Sequence, residues 1–575
     1  MARKKPSGSD SRKVHKLLLV SSGNDNATRQ AARRLSERLE LAGRFQLSAV
    51  SVTSNGVPAM ASLEGSDFDS VALLVHEADK LSAAHVQALT KFVQAGGGLV
   101  VCQGALMLAQ EQSDLGRLLG AQVEGRMPSA FDYQVQLDAK ANAEGHAIAG
   151  RVDGYVVRDQ FVQLKLEDDA TVFARSHLSG RPMPMGYERS VGKGKVVCLA
   201  HGGAAESLLN RNVERLFERA LRYVGGETYK TTVRAGILGY GGAFNMGKRH
   251  AEAINAQHGM QTVAVCDLDP RRTEQAKGEI GEKIRTYNKP EQLIADDKVD
   301  MIVGILPHNL HAEYCIAASK AGKHAVTEKP FSITLDEADQ MIAAARESNT
   351  MLSCFHNRRW DGDFQQLLTV VRNGEIGDVF HIDAATGGYN MPRDWWRASK
   401  AMSGGVLYDW GAHYVDWLLN LMPKRIASVS GNLQKRYWHN TTNEDFAQVH
   451  IRFEDDTTAT LEQGDIVAVR RHGWRILGTT GGLSNAKAGG EITMVKQDAG
   501  IRRESSLTPW PSRWDNYYQN IANHLIMSEP LIVTAEQARR VSGVLHLAEQ
   551  SSNEGGKPMP LPGEAEFTPD YRFPW

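Results

Sequence analysis

Short apolar runs alternate with stretches of helical periodicity in the first part of the chain. The runs LLLVSS, VALLVHEA, LVVCQGA and KVVCLAHGG predict buried strands. Residues 27–42 and 82–95 predict amphipathic helices, the second of which ends at three consecutive glycines, Gly96 to Gly98. Strands that alternate with helices usually form parallel sheets covered on both faces. We therefore expect a mostly parallel sheet between about residues 16 and 226.

A second alternating pattern follows the glycine-containing segment between Val224 and Lys230. It starts with the strand Val233 to Leu238, continues with strands that end at Cys266, at Leu306-Pro307 and before Glu328, and is followed by a strand-rich region. A chain of 575 residues is too long for one hydrophobic core. We expect a disordered tail at 1–14 and three folded domains at 15–226, 231–355 and 356–575.

The composition is that of an ordinary globular protein. The formal net charge is −1 and the pI is about 7.0, so we expect neither nucleic acid nor an anionic membrane as a partner. The five cysteines are scattered and lack C-x-x-C spacing, which favours reduced thiols and a cytoplasmic location. We find neither a signal-peptide pattern nor an apolar stretch of about 20 residues.

A glycine-rich turn follows the strand Val233 to Leu238. It reads Gly239-Tyr240-Gly241-Gly242-Ala243-Phe244 and precedes a helical stretch, which predicts a pyrophosphate site at a helix N-terminus. Phe244 stands where glycine or alanine is usual, so either Ala243 provides the close packing or the turn is wider. The next strand ends at Asp267, at the separation typical of a carboxylate that binds the adenosine ribose. This acid favours NAD over NADP, although Arg271 and Arg272 lie nearby.

An acid and a histidine four residues apart provide the candidate catalytic chemistry. Asp409 and His413 follow the pair Gly404-Gly405, and on a helix that begins near Tyr408 they share one face. Histidine can accept a hydroxyl proton near neutral pH. Together with Lys329 and the glycine turn, the pair indicates dinucleotide-linked oxidation of a hydroxyl group.

Histidines elsewhere raise the question of a metal. His308 and His311 lie close together, and His356 follows a strand. They lack the spacing with further ligands that zinc sites require, so we predict no metal.

The second part of the chain resembles the glucose–fructose oxidoreductase/inositol dehydrogenase (Gfo/Idh/MocA) family. The resemblance rests on Glu328-Lys329-Pro330, the Asp409/His413 helix and the segments SCFHNRRW, DWWRASKAMSGG, WRILGTTGGL and EPLIVTAEQARRVSGVLHLAEQS, and it covers about residues 231–575. It implies a Rossmann NAD-binding domain and an α+β substrate domain with a large, mainly antiparallel sheet. It also implies a homodimer or homotetramer.

The resemblance assigns roles to individual residues. His413 would be the general base, Lys329 would polarise the substrate oxygen, and Asp409 would orient a sugar hydroxyl or the imidazole. A cis peptide bond would precede Pro330. The residues expected to bind the cofactor are Gly239, Gly241, Gly242, Ala243, Phe244, Asp267, Pro307, His308, His311, Glu328 and Lys329.

The first part of the chain resembles the trehalose-utilisation (ThuA-like) domain, a glutamine-amidotransferase-like, flavodoxin-type α/β fold. The resemblance rests on QALTKFVQAGGGLVVCQGA, HAIAG and GKGKVVCLAHGG. Cys102 partly matches the nucleophile turn of an amidotransferase, but Val100 replaces the leading glycine, so we expect a buried structural cysteine. His201 and Arg158 are the remaining site candidates.

The predicted function is oxidation of a sugar, cyclitol or glycoside hydroxyl by hydride transfer to NAD. Two alternatives stay open: redox-neutral glycoside cleavage through transient oxidation, and a non-catalytic regulator that binds NAD and a sugar. We expect core positions for Trp395, Trp396 and Trp410, because aromatic residues in such a domain are usually buried. We expect solvated positions for Arg359 and Arg397.

Overall fold

The structure is a computed structural model that describes residues 14–23, 25–41, 45–52, 60, 63, 65–138, 146–150, 152–227, 232–241, 244–485 and 489–567. These residues form two compact units. The first contains the described residues between 11 and 231 together with Leu525–Pro530, and the second contains Thr232–His524 and the described residues from Leu531 onwards. Apart from Val14, the tail expected at 1–14 lies outside the described residues.

The first unit is an α/β domain built on one large sheet. Its elements are β1 (His15–Ser21), α1 (Asn26–Leu41), β2 (Phe45–Ser51), β3 (Ser70–Leu74), α2 (Ala83–Ala95), β4 (Gly98–Val101), α3 (Gln103–Leu108), α4 (Ser113–Leu119), β5 (Ala121–Arg126), β6 (Phe131–Leu137), β7 (Tyr155–Asp159), β8 (Val162–Leu166), β9 (Thr171–Leu178), β10 (Arg181–Val191), β11 (Gly194–Leu199) and α5 (Arg211–Val224).

The nine-stranded sheet of this unit has the order β2-β1-β3-β4-β11-β10-β9-β6-β7. Strands β2 to β11 in that order are parallel, whereas β10, β9, β6 and β7 extend the sheet in antiparallel fashion. The expectation of a mostly parallel sheet was therefore wrong for the part of the sheet formed by β10, β9, β6 and β7. The strands that were missed alternate buried and exposed residues, as in β6 and β7, instead of forming the continuous apolar runs of the parallel strands.

The second unit begins with a six-stranded parallel sheet. Its strand order, β14-β13-β12-β15-β16-β17, is the 3-2-1-4-5-6 order of a Rossmann fold. Its elements are β12 (Val233–Leu238), α6 (Met246–Asn255), β13 (Met260–Cys266), α7 (Pro270–Ile280), β14 (Arg285–Tyr287), α8 (Pro290–Ile294), β15 (Met301–Gly304), α9 (His311–Lys320), β16 (His324–Thr327), α10 (Leu335–Glu347) and β17 (Leu352–Cys354).

The rest of the second unit is built on an eight-stranded sheet. The elements are α11 (Gly362–Arg372), β18 (Val379–Gly387), α12 (Lys400–Ser403), α13 (Trp410–Leu421), β19 (Ile426–Gln434), β20 (Phe446–Phe453), β21 (Thr458–Gly464), β22 (Trp474–Gly478), β23 (Gly481–Asn485), β24 (Ile492–Asp498), β25 (Ile501–Leu507), α14 (Asn516–Met527), α15 (Ala535–Asn553) and α16 (Glu564–Phe567).

The strand order of this sheet is β19-β20-β21-β18-β22-β23-β24-β25, and every neighbouring pair is antiparallel except β18 and β21. The expected fold class is therefore confirmed: an α/β first unit, a Rossmann sheet and a large, mainly antiparallel sheet. Across the described residues, no helix combines the length and the apolar character needed to cross a membrane.

Helix α13 carries His413 into the hydrophobic interior. All residues from Gly411 to Leu421 are buried, because the sequence WGAHYVDWLLNL is apolar on nearly every face. Asp409 and His413 could share a helix face only if the helix included Asp409, but α13 begins one residue later, at Trp410. Asp409 is its N-cap residue, with φ −82° and ψ −86°, and follows the 3₁₀ turn Val406–Tyr408. The predicted helical placement of Asp409 was thus wrong by one residue.

Candidate active site

The glycine turn after β12 begins at a position that requires glycine. Gly239 has a φ of 89°, and a Cβ there would lie 2.3 Å from the carbonyl oxygen of Ile305. Helix α6 begins only at Met246, and the close packing between helix and turn is provided by Gly247. A Cβ on Gly247 would lie 2.4 Å from the Tyr240 carbonyl oxygen. Gly242 and Ala243 lie outside the described residues, so both explanations for Phe244 remain predictions.

Asp267 fixes the first half of this turn. Its Oδ2 accepts hydrogen bonds from the backbone N–H groups of Tyr240 (2.9 Å) and Gly241 (3.0 Å), and its Oδ1 accepts one from the N–H of Asp269 (2.9 Å). Arg272 lies over the turn, since a Cβ on Gly241 would be 2.4 Å from its Nε. The described start of the turn thus lies between the Asp267 carboxylate and the Arg272 side chain.

The strand ends around the turn supply further groups. Glu328 and Lys329 follow β16, and the Lys329–Pro330 peptide bond is cis, as expected. Tyr518 donates a hydrogen bond to Nδ1 of His250 (2.6 Å), and His250 Nε2 donates to Glu328 (3.0 Å). Burial alone would raise the pKa of Glu328, but the hydrogen bond from His250 and the nearby Lys329 lower it. The sequence analysis missed His250 and Tyr518. These two residues lie 268 positions apart, so no local sequence pattern indicates the hydrogen bond between them.

Lys329 and Asp409 meet directly. The Lys329 ammonium donates to the Asp409 carbonyl oxygen (2.8 Å) and to Asp409 Oδ1 (2.7 Å), and the Arg397 guanidinium donates to the same Oδ1 (2.7 Å). Burial alone would raise the pKa of Asp409, but these two cations hold it well below its usual range. Asp409 is therefore a firmly ionised carboxylate, and the expectation of a solvated Arg397 was wrong.

His413 lies on the same wall but has different surroundings. Burial, followed by the positive charges of Lys329, Arg358 and Arg397, lowers its pKa well below the usual value. Its ring packs edge-on against Trp410, with the centroids 5.6 Å apart, and its Nδ1 has no hydrogen-bond partner among the described residues. The Asp409 carboxylate instead binds Lys329 and Arg397. The His413 imidazole is therefore oriented by aromatic packing and not by a carboxylate.

The two histidines after Pro307 lie on different sides of their loop. The Nδ1 of His308 donates to the Ser403 carbonyl oxygen (2.7 Å), and its buried Nε2 has no partner among the described residues. The ring nitrogens of His311 instead lie 2.7 and 3.1 Å from the carbonyl oxygens of Pro330 and Leu306. His308 thus lines the cavity described next, whereas His311 connects two loops behind it.

A cavity of about 900 Å³ joins these groups. Of the predicted site residues, its wall includes Gly241, Phe244, Pro307, His308, Glu328, Lys329, Asp409 and His413, but not Gly239, Asp267 or His311. The cavity lies at the carboxyl ends of β12 and β15, where the strand order reverses and where ligands bind in open α/β sheets. Its size is typical of sites for small molecules and cofactors.

Aromatic side chains form much of the cavity wall. Trp395, Trp396, Trp410 and Trp514 all line it, and Trp410 is 39 % exposed. The expectation that Trp395, Trp396 and Trp410 occupy core positions was therefore wrong. Arg397 stacks between Trp395 and Trp396, with its Cζ 5.3 and 5.1 Å from their ring centroids. Aromatic faces of this kind can stack on a sugar or a nicotinamide ring.

Arg359 is fully buried beneath the site and was wrongly expected in solvent. Its Nε and Nη2 bind the carboxylate of Asp416 at 2.9 and 2.6 Å, and its Nη1 binds Gln537 and the Ile532 carbonyl oxygen. Asp416 lies one turn beyond His413 on α13, so this ion pair fixes the helix that carries the imidazole. Nearby, burial lowers the pKa of His356 to about 4.

The first unit has its own buried polar cluster. Asp159 accepts from the N–H groups of Gly202 (2.9 Å) and Ala204 (2.6 Å), and His201 Nε2 lies 3.0 Å from the Tyr155 hydroxyl. Cys102 is extended, with φ −108° and ψ 178°, and does not form a strained nucleophile turn. Burial raises the pKa of its thiol, so the structural interpretation of Cys102 is the better one. Arg158 faces solvent near Asp132.

Three sequence profiles of known families match the chain. The trehalose utilisation domain (ThuA) matches residues 16–224, the oxidoreductase family with an NAD-binding Rossmann fold matches 233–356, and the GFO/IDH/MocA C-terminal domain matches 364–484. Fold and site together define the chain as an NAD(P)-dependent oxidoreductase. Residues 233–356 and 364–484 contain the two domains of the Gfo/Idh/MocA family, and residues 16–224 contain a ThuA domain.

Individual relatives agree with this assignment. The chain is 26 % identical over 351 residues to scyllo-inositol 2-dehydrogenase (NADP⁺) IolW of Bacillus subtilis, which covers 56 % of this chain and 94 % of that protein. It is 31 % identical over 199 residues to myo-inositol 2-dehydrogenase of Thermotoga maritima, covering 34 % of this chain and only 57 % of the relative. An NAD-binding protein from Listeria innocua superposes with a TM-score of 0.50 at 28 % identity, over 57 % of this chain and 97 % of that structure.

Proposed function

We propose that this protein oxidises a CH–OH group of a sugar, cyclitol or glycoside by hydride transfer to NAD, with His413 as the general base. The observation that carries the proposal is the convergence of Lys329, Asp409 and His413 on one cavity wall beside the glycine turn. Two relatives named inositol dehydrogenases support the substrate class.

The cavity suits a dinucleotide. Its turn approaches too closely for a Cβ at Gly239 or Gly241, and the buried Nε2 of His308 is an acceptor without a partner among the described residues. Bound NAD(P) supplies the hydride acceptor at its nicotinamide ring. Phe244, Pro307, His308 and Glu328 would surround that end of the cofactor, whereas Gly239 and Asp267 would lie near its phosphates and adenosine. His311 would act by holding the Pro307 loop.

The catalytic roles follow from charge and protonation. His413 is neutral, because burial lowers its pKa, and can therefore accept the hydroxyl proton. Lys329 would donate a hydrogen bond to the same substrate oxygen and stabilise the negative charge that develops on it. Asp409 fixes the Lys329 ammonium at 2.7 Å and has further acceptor capacity for a substrate hydroxyl.

The proposed preference for NAD over NADP rests on the carboxylate of Asp267. A 2′-phosphate near this acid would be repelled, although Arg272 lies close enough to offset part of that repulsion. We expect Asp267→Ala to move the ratio of kcat/KM for NAD and NADP toward NADP by about tenfold. Asp269→Ala is the matched control, because Asp269 pairs with the exposed Arg271 and not with the turn. An unchanged ratio in Asp267→Ala would contradict this role.

The first experiment measures NADH formation by absorbance with a panel of sugars, cyclitols and glycosides. Wild type should form NADH with at least one of them, and His413→Ala should lower kcat by about 10²–10⁴-fold while NADH binding is retained. Release of free sugar without net NADH would favour redox-neutral glycoside cleavage. Unchanged turnover in His413→Ala would exclude the proposed base.

Three further expectations remain predictions: the domain boundaries at 226–231 and 355–356, a homodimer or homotetramer, and a cytoplasmic location. The first is supported by the family matches, which end at residue 224 and resume at 233, and then end at 356 and resume at 364. Sedimentation analysis of the purified protein measures the second.

A further inference from the structure

A second cavity of about 190 Å³ adjoins the first. The two share His308, Trp395, Arg397, Asp409 and Trp410 as wall residues. A ligand bound at Lys329 and Asp409 would therefore lie directly beside the second cavity.

Asp465 lies on the wall of this second cavity, directly after β21. Its backbone is fixed, because its N–H donates to the Asp445 carbonyl oxygen (2.8 Å) and its own carbonyl oxygen accepts from Trp438 Nε1 (3.2 Å) and the Asn390 N–H (3.1 Å). Its carboxyl group, however, receives no hydrogen bond from the described residues. A carboxyl group that lines a cavity without such a donor can accept hydrogen bonds from the hydroxyl groups of a ligand.

The neighbouring carboxyl groups, unlike that of Asp465, have cationic partners among the described residues. Asp409 pairs with Lys329 and Arg397, and Asp445 pairs with Lys435 (2.9 Å). Burial, followed by the charges of Asp409 and Asp445 and opposed by Lys435, raises the pKa of Asp465 to about 6. Near neutral pH this group can therefore accept hydrogen bonds and, in its protonated fraction, donate one.

We propose that Asp465 is a specificity-determining residue that binds the second ring of a glycoside whose first ring is oxidised at Lys329 and His413. This inference rests on the proposed function and narrows its substrate class from free sugars and cyclitols to substrates of two rings. Hydroxyl groups of the second ring supply the donors that Asp465 lacks, and Trp395 and Trp410 offer faces for the linkage between the rings.

The test is calorimetric titration of the NADH-loaded full-length protein with glucose and methyl glucosides, and with glucose disaccharides of each linkage. Wild type should bind at least one disaccharide about tenfold more tightly than any single-ring ligand. Asp465→Ala should abolish that difference and leave single-ring binding within about twofold. Asp465→Asn keeps the size and one acceptor oxygen and serves if the alanine variant folds poorly.

Glu462→Gln is the matched control, because Glu462 is an acid on the same strand that does not line this cavity. It should leave both affinities unchanged. Equal weakening of both ligand classes in Asp465→Ala, or no disaccharide preference in wild type, would overturn the inference. Binding needs no turnover, so a disaccharide preference without NADH formation would reject the proposed oxidation and not the role of Asp465.

Discussion

At the scale of single residues, the site keeps one side chain ionised and a neighbouring one neutral. Asp409 is kept ionised by two cations, whereas His413, on the next helical turn, is kept neutral by burial and by the same cations. This arrangement gives a base that is ready at neutral pH and an ammonium donor beside it. Lys329 links the two, because it contacts Asp409 and also contributes to the lowered pKa of His413.

The pH profile tests this arrangement. Because the pKa of His413 is lowered from 6.5, its neutral form persists below pH 6.5 and is lost only as the pH falls through the lowered value. We expect kcat with a single-ring substrate to show no decline near pH 6.5 on the acid side. Stopped-flow NADH formation between pH 5 and 8 measures it. A fall with a midpoint at 6.5 in wild type would show an ordinary, solvated imidazole.

At the scale of elements, the packing of helix α6 against the start of the glycine turn depends on one small residue in the helix. Gly247→Ala would place a methyl group 2.4 Å from the Tyr240 carbonyl oxygen, so the helix and turn must move apart. We expect the variant to lose about 1–3 kcal/mol of unfolding free energy and to bind NADH at least tenfold more weakly. Urea unfolding and fluorescence titration measure the two effects.

Gly278→Ala in α7 is the matched control for this prediction. A Cβ there meets nothing within 4 Å, so replacing a helical glycine should stabilise the protein by about 0.5–1 kcal/mol. If both variants behave alike, the role assigned to Gly247 is wrong.

The buried ion pair beneath α13 is a second prediction for an element. Arg359→Met leaves the Asp416 carboxylate buried without its strongest partner, and removing one member of such a pair costs about 3–5 kcal/mol. We expect a lower urea midpoint and reduced kcat, since α13 positions His413. Arg358→Met is the control for this prediction. Because Arg358 is only part-buried, its replacement should lower the urea midpoint much less.

At the scale of the whole molecule, Leu525–Pro530 belongs to the first unit although it lies far along the chain. Within that unit Glu529 accepts hydrogen bonds from Arg215 (Nη2, 2.8 Å) and Arg219. Burial alone would raise its pKa, but these arginines lower it to about 2. The ion pair stabilises the unit above the unfolded pKa of Glu529, and this contribution is lost as the pH falls toward 2.

Glu529→Gln should therefore lower the stability of the first unit by about 3 kcal/mol at pH 7, with a smaller difference at pH 3. Hydrogen exchange of the α5 amides measures this unit separately. NADH binding should be unchanged, because all candidate cofactor residues lie in the second unit. An equal effect at both pH values would argue against an ionised Glu529.

Much of the fold was readable from the sequence because it depends on local patterns. The parallel strands of the Rossmann sheet are continuous apolar runs, and β12 occupies Val233–Leu238 as predicted. The antiparallel part of the first sheet was missed because its alternating strands, such as β7, look polar in a short window. Gly247 was overlooked because the expected pattern ends three residues earlier.

The order of elements in the Rossmann unit, the glycine turn and the presence of Lys329, Asp409 and His413 could be predicted from local sequence patterns, because each depends on neighbouring residues. The chemical states of these three side chains depend on tertiary packing. Lys329 reaches Asp409 across 80 positions, and burial makes His413 neutral. The placement of the four tryptophans along the first cavity and of Asp465 along the second likewise arises from the packing of distant elements. Proton affinity and access depend on these surroundings, which no local pattern encodes.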